Sequence, residues 1–241
     1  MELSRILDPA KLGDPVVVAI LGCTLSYAAY YFISIAPGIR QKYLDQYGEE
    51  EGQARHVIFQ RWVGAACMGI TALLAAILLP AHGLKSLGMI PEFDVKTLAA
   101  AGTLGGIAIL VNFLIAGRDK NLEQYPQIRS KKWSRKLLLN SSLSWALYLL
   151  GYELLFRGLL LFACVWHMDV SYAIVVNLAL YSLAHIPKGQ AETFGAIPFG
   201  IIVCAVSLWT GSFLVAFVVH VCLALSNQYF AFRAHPEMEL V

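Results

Sequence analysis

Long apolar runs constrain the fold of this 241-residue chain more than any other feature. Several of them reach the roughly 20 residues that an α-helix needs to cross the hydrocarbon core of a bilayer. Charged residues make up only 14% of the chain, against about 25% in soluble domains. A soluble fold would have to bury every one of these runs on all faces. The sequence therefore predicts an all-α fold, a polytopic transmembrane helical bundle.

The runs place about seven spans along the chain. Their approximate ranges are 16–36, 62–79, 97–116, 137–166, 170–186, 194–209 and 213–230. A helix over the fourth run would be ~45 Å long, which exceeds the ~30 Å thickness of the hydrocarbon core. It must tilt, break near Gly151 or begin at the interface, and a split there would add an eighth span.

We expect one integral membrane domain with two parts. Residues 1–136 hold the first three spans and a basic cytoplasmic loop, and residues 137–241 form a core bundle. The polar stretch 37–61 is predicted to contain an interfacial amphipathic segment. The third run has a small-residue face suited to close helix packing, made of Gly102, Gly105 and Gly106.

The distribution of basic residues predicts the orientation. With seven spans and the N-terminus outside, inner segments hold 13 of the 18 Lys and Arg residues and outer segments hold 4. Cytoplasmic segments of membrane proteins carry such an excess of basic residues. We therefore expect an integral protein of the bacterial inner membrane, with the N-terminus outside and the C-terminus in the cytoplasm.

Net charge and cysteine positions exclude several classes of function. A net charge of +2 gives no indication of nucleic-acid binding, so the lipid bilayer is the first expected partner. The five cysteines all lie in apolar runs without CxxC spacing. Such cysteines are typically small buried hydrophobes, so we expect neither a disulfide framework nor a cysteine zinc site.

Four ionisable residues lie in or near the later spans. Glu153 and Arg157 are four residues apart, so they share a helical face and can pair. His185 comes just before Pro187, and His220 lies within the seventh run. A charge in hydrocarbon costs at least ~2.5–3.5 kcal/mol, so such residues normally face the bundle interior and mark function. The alternative is a structural ion pair with two histidines that make hydrogen bonds between helices.

Glu153, His185 and His220 lie on three different spans and can converge in one cavity. A carboxylate flanked by histidine can take a proton from water and return it to a leaving amine. A second imidazole can stabilise an oxyanion. The same three side chains can also hold zinc with an open position. We rank zinc well below a cofactor-free site.

Three motifs resemble those of the CPBP family, which includes the type II CAAX prenyl endopeptidases and related bacterial processing and bacteriocin-immunity proteins. They are 151–158 (GYELLFRG), 181–185 (YSLAH) and His220 in a late span. The family pattern is Glu-Glu-x-x-x-Arg, aromatic-x-x-x-His and His-x-x-x-Asn on successive membrane helices. The resemblance covers about 137–230. It implies an intramembrane peptidase in which a glutamate activates water and histidines assist.

Two positions depart from the family pattern. Tyr152 stands at the first Glu, which is the usual water activator, and Ala224 stands at the Asn. A tyrosine with a pKa of about 10 is a poor base at neutral pH. The chain is therefore either an active endopeptidase or a catalytically degenerate relative that serves as a membrane scaffold, immunity protein or complex subunit. The sequence leaves open whether it is an enzyme.

The endopeptidase hypothesis gives each site residue a role. Glu153 would be the base, Arg157 would orient it, and His185 and His220 would assist in cleaving a membrane-associated peptide or protein near its C-terminus. In a seven-span topology His185 lies near the inner surface, whereas Glu153 lies deeper. The two meet only if the fourth helix starts well inside the cytoplasm or tilts steeply.

Overall fold

A computed structural model describes residues 13–79 and 81–241, so the predicted outer N-terminal segment lies largely outside the described residues. Helices dominate the described chain. In chain order they are α1 (Pro15–Ile35), α2 (Pro37–Tyr47), α3 (Glu49–Leu78), α4 (Gly83–Ser86), α5 (Val95–Ile115), α6 (Asp119–Leu122), α7 (Arg135–Glu153), a π-helix (Leu154–Leu160), α8 (Leu161–Val165), α9 (Val170–Leu183), a 3₁₀ turn (Ile186–Lys188), α10 (Gln190–Thr210) and α11 (Leu214–Ala234). The predicted all-α bundle is confirmed.

The predicted spans each correspond to one apolar helix. Six helices of the described chain are long and apolar enough to cross a membrane. The fifth predicted span is α9, whose 14 residues reach about 21 Å. The fourth run stays continuous over 31 residues, Arg135–Val165, so no eighth span arises there. A break near Gly151 was one of three expected ways to accommodate this length. The helix does not break there but changes to π geometry after Glu153.

Four of the helices start at a side-chain cap. Four side chains accept hydrogen bonds from N–H groups of the first helical turn, as N-cap residues do: Asp14, Asp94, Ser134 and Asp169. The Ser171 N–H lies 2.8 Å from Asp169. This backbone hydrogen bond holds the pKa of the Asp169 carboxyl below its usual range. The charged cap fixes where the short helix α9 begins.

A small two-stranded layer lies beside the start of α7. Strand β1 (Lys132–Trp133) pairs in parallel with β2 (Glu239–Leu240). Trp133 is fully buried and packs with Ala54, Ile128 and Phe232. The chain just before α7 is therefore held against the C-terminal segment.

Close helix packing occurs at several glycines, and two of them bear on the predicted elements. A Cβ added at Gly151 of α7 would lie 2.9 Å from the carbonyl oxygen of Ala65 in α3. One added at Gly105 of α5 would lie 3.1 Å from the Cys222 sulfur in α11. The other two members of the predicted small-residue face, Gly102 and Gly106, have open space around them. Close packing thus involves only Gly105 of that face, because the other two lie away from α11.

The five cysteines are free thiols. Cys23, Cys164 and Cys204 are buried, as expected for small apolar side chains. Cys67 and Cys222 are half-buried on the helix surface.

Candidate active site

The π-helix positions the polar residues of the fourth span. It begins directly after Glu153 and contains Arg157. π-helical turns are rare and often occur at functional sites. The side-chain amide of Asn177 in α9 donates a hydrogen bond of 2.6 Å to the carbonyl oxygen of Phe156. This contact ties the π-helix to α9.

The Glu153 carboxylate contacts two of the other predicted site residues. Its Oε1 lies 2.5 Å from Nδ1 of His220, and its Oε2 lies 3.3 Å from Nη1 of Arg157. The Glu153 and Arg157 side chains are 0% exposed, and His220 is 8% exposed. The fold therefore brings three of the four predicted residues, from two distant parts of the chain, into one contact network.

Aromatic and backbone groups enclose the Arg157 guanidinium. Its Cζ lies 3.8 Å from the centroid of the Tyr181 ring. A Cβ added at Gly200 of α10 would lie 3.5 Å from Nη2. A buried guanidinium is costly unless it is paired. The Glu153 carboxylate and the face of Tyr181 together offset that cost.

His185 joins the network through shared neighbours. Its ring centroid lies 4.6 Å from that of Tyr181 and 6.2 Å from that of Tyr152. No hydrogen bond joins His185 to Glu153 in the part of the chain that the structure describes. The Nδ1 of His185 is 2.8 Å from the Tyr181 carbonyl oxygen. Since a carbonyl only accepts, Nδ1 carries the proton and Nε2 is left as an acceptor.

Tyr152 lies between the two imidazoles. Its ring stacks on Phe156 at 4.5 Å and meets the rings of His185 and His220 nearly at right angles. The residue is 2% exposed, and its hydroxyl has no hydrogen-bond partner. An unsatisfied buried polar group costs about 1–3 kcal/mol.

Unsatisfied polar atoms are concentrated at this place. The described chain has 13 buried side-chain nitrogen and oxygen atoms without a hydrogen bond, and five belong to Tyr152, Glu153 and Arg157. The 3.3 Å ion pair between Glu153 and Arg157 lacks the alignment of a hydrogen bond. Such a concentration of orphaned donors and acceptors marks a place where a polar ligand can be accommodated.

Glu153 and His185 lie at the ends of helices of different length. Glu153 ends the 19-residue helix α7, about 27 Å from its start beside the β1–β2 layer. The expected start of the fourth helix well inside the cytoplasm stays a prediction. Helix α9 ends at Leu183 after 14 residues, two residues before His185.

Some neighbours of the site were not found by sequence reasoning. They include Asn177, Phe199 beside the His220 ring at 5.3 Å, and Tyr27, whose hydroxyl donates to the Ala184 carbonyl at 2.5 Å. Asn177 is a polar residue inside an apolar run, so the sequence could have indicated it as a candidate site residue. Nothing in the sequence indicated Tyr27 or Phe199, because their positions depend on how α1 and α10 pack.

An apolar cavity of about 300 Å³ borders the site. It lies between α1 and α9 and includes Tyr27, Phe156 and Ala184 in its lining. Phe156 separates this cavity from Tyr152, on which it stacks. The cavity thus reaches the aromatic wall of the polar cluster.

Metal binding was an alternative for this site. Among the residues that the structure describes, no group of three or more His, Cys, Asp or Glu is placed to hold a metal ion. The zinc hypothesis at Glu153, His185 and His220 stays a prediction, and no step below passes through a metal.

Comparison with known proteins gives one match. Residues 133–226 match the model of the family described as type II CAAX prenyl endopeptidase Rce1-like. The matched segment contains all three motifs and nearly coincides with the predicted 137–230. The resemblance to the CPBP family is thereby confirmed over this segment. No curated protein and no solved structure matches the chain.

Proposed function

We propose that this integral membrane protein, with its CAAX-endopeptidase-like segment, is an intramembrane endopeptidase that cleaves a membrane-associated peptide or protein. The observation that carries the proposal is the 2.5 Å contact between Glu153 Oε1 and His220 Nδ1, inside the matched segment. A buried carboxylate on an imidazole is the arrangement that hydrolases use to orient a histidine base.

The contacts of Glu153 indicate which of Glu153 and His220 acts as the base. Both carboxylate oxygens already face partners, Arg157 and His220. An ionised carboxylate only accepts, so Nδ1 of His220 carries the proton and its Nε2 keeps a lone pair. We infer that Nε2 of His220 is the base, whereas the sequence alone favoured Glu153. Glu153 then holds the imidazole and stabilises its charged form, and Arg157 holds Glu153.

The hydrolytic steps balance with these groups. A water oxygen attacks the carbonyl carbon of the peptide bond, and the water proton moves to Nε2 of His220. The C=O electron pair moves to the oxygen. The C–N bond then breaks, and the leaving nitrogen takes the proton back from His220. His185, with its free Nε2, orients the water.

The surroundings of the site support a substrate that arrives through the lipid. The cavity between α1 and α9 is lined mostly by apolar side chains and ends at Phe156 and Ala184, beside the polar cluster. In the proposed orientation, N-terminus outside and C-terminus in the cytoplasm of a bacterial inner membrane, the β1–β2 layer faces the cytoplasm. Cleavage then occurs within the inner part of the membrane, near the substrate's C-terminus.

The test is cleavage of a panel of membrane-anchored peptides by the purified protein in liposomes. We expect the wild-type protein to cleave and Glu153→Gln to lose about 10²-fold or more of kcat, because the His220 base loses the carboxylate that fixes its tautomer and stabilises its charged form. Glu92→Gln is the matched control, because Glu92 pairs with the exposed Lys85 far from the site. No cleavage by wild type, together with stable co-purification of a protein partner, would overturn the proposal and support a scaffold or complex subunit.

A further inference from the structure

The Tyr152 hydroxyl is a buried polar group that the hydrolytic steps above leave unused. The residue is 2% exposed, and the hydroxyl has no partner among the described residues. A phenylalanine would pack equally well on Phe156, which stacks on this ring at 4.5 Å. The unpaired hydroxyl therefore has no structural use in this arrangement.

The Nδ1 atoms of the two imidazoles face protein acceptors. Nδ1 of His185 faces the Tyr181 carbonyl, and Nδ1 of His220 faces Glu153. The three nitrogens of the Arg157 guanidinium also lack a hydrogen bond, but its charge is balanced by Glu153 and it is enclosed by the Tyr181 ring and the backbone at Gly200. The hydroxyl of Tyr152 is thus the neutral donor of this cluster that still needs an acceptor.

The position of the ring suits a donor that acts between two histidines. The Tyr152 centroid lies 5.9 Å from that of His220 and 6.2 Å from that of His185, with interplanar angles of 87° and 86°. Stacked Phe156 on one side and the edge contact with Tyr181 at 5.6 Å hold the ring in place. A donor fixed before the reaction needs no reorganisation when charge develops.

The geometry points to Tyr152 as a further catalytic residue, whose hydroxyl donates a hydrogen bond to the carbonyl oxygen of the scissile peptide bond. This inference rests on the proposed endopeptidase function. As water attacks, the C=O electron pair moves to that oxygen, and the oxyanion accepts the hydrogen bond. The phenol keeps its proton throughout. When the C–N bond breaks and C=O re-forms, the oxygen returns to the neutral state.

The test compares Tyr152→Phe with Tyr148→Phe in the liposome cleavage assay. Tyr148 is the matched control because it lies one turn earlier on α7, with its ring 5.8 Å from that of Tyr152. We expect Tyr152→Phe to lower kcat by about 10²–10³-fold, the usual loss of one oxyanion donor, with KM nearly unchanged. Affinity for a peptide phosphonate, which mimics the tetrahedral intermediate, should fall by a similar factor. Tyr148→Phe should retain both.

Each outcome separates the inference from the proposed function. Normal cleavage by Tyr152→Phe beside an active wild type would overturn the donor role and leave the endopeptidase proposal standing. A wild type that neither cleaves peptides nor binds the phosphonate would overturn both. Thermal unfolding of Tyr152→Phe provides the control for folding, and we expect its Tm to equal or exceed that of wild type. A clear drop in Tm would assign the hydroxyl a structural role and overturn the inference.

Discussion

At the scale of residues, Arg157 illustrates how one buried charge depends on its neighbours. Its guanidinium is 0% exposed and lies against Glu153 and the Tyr181 ring. Removing one partner of a buried ion pair leaves the other charge uncompensated, which costs more than the pair itself contributes. The pair therefore has a structural role as well as its proposed catalytic one.

We predict that Arg157→Gln destabilises the protein by about 3–5 kcal/mol, the usual cost of breaking a buried pair from one side. The double variant with Glu153→Gln should recover part of this loss, because no charge is then left alone. Thermal unfolding in detergent measures both. Lys85→Gln is the control, since its exposed pair with Glu92 should contribute little. Equal stability of Arg157→Gln and wild type would contradict the buried-pair interpretation.

Sequence reasoning identified Glu153, Arg157 and His220 because ionisable residues are rare and costly in apolar spans. It did not reveal the orphaned hydroxyl of Tyr152 or the proton position on His185. Both depend on which atoms face each other, and spacing along the chain carries no such information.

At the scale of elements, the unusual length of the fourth helix decides where the site lies. Its start near the β1–β2 layer and its change to π geometry place Glu153 opposite His220 of α11. The crossing of α7 with α3 is close because Gly151 has no side chain. A Cβ there would lie 2.9 Å from the Ala65 oxygen and 3.0 Å from the Gly69 nitrogen.

We predict that Gly151→Ala costs about 1–3 kcal/mol of stability through overpacking, because both clashing atoms belong to the backbone of α3 and cannot move aside. The shift of α7 should also lower cleavage. Gly106→Ala on α5 is the control: with open space around the glycine, the added methyl group should be neutral or slightly stabilising. Thermal unfolding of the two variants checks this. The same Tm for Gly151→Ala and wild type would show that α3 and α7 can separate freely.

The positions of the helices were largely predictable, and their ends were not. Apolar runs locate the spans because burying apolar side chains in the lipid is favourable. The end of α9 at Leu183 depends instead on the turn around Pro187 and on tertiary contacts. One such contact is the Tyr27 hydroxyl on the Ala184 carbonyl. The small-residue face of α5 was predictable by composition, but its partner on α11 was visible only after packing.

At the scale of the whole molecule, strand β1, near the end of the basic segment 117–136, pairs with strand β2 near the C-terminus. The excess of Lys and Arg in this segment agrees with its proposed place in the cytoplasm.

We predict that green fluorescent protein fused after Val241 fluoresces in bacterial cells and that alkaline phosphatase fused there is inactive, because the proposed orientation places the C-terminus in the cytoplasm. The same reporters fused after Lys85, in the segment between α3 and α5, should give the opposite pattern. Active phosphatase at Val241 would reverse the orientation and place the β1–β2 layer outside.

The sequence by itself determined the membrane bundle, the approximate spans and the motifs of the matched segment, since hydropathy and scarce charges are properties of the chain alone. Only the tertiary structure decided that Glu153 meets His220, that Arg157 packs on Tyr181, and that Tyr152 lies between two imidazoles. These contacts join helices far apart in sequence. Their geometry depends on helix length, the π-helix and close packing at Gly151, which local pattern does not specify.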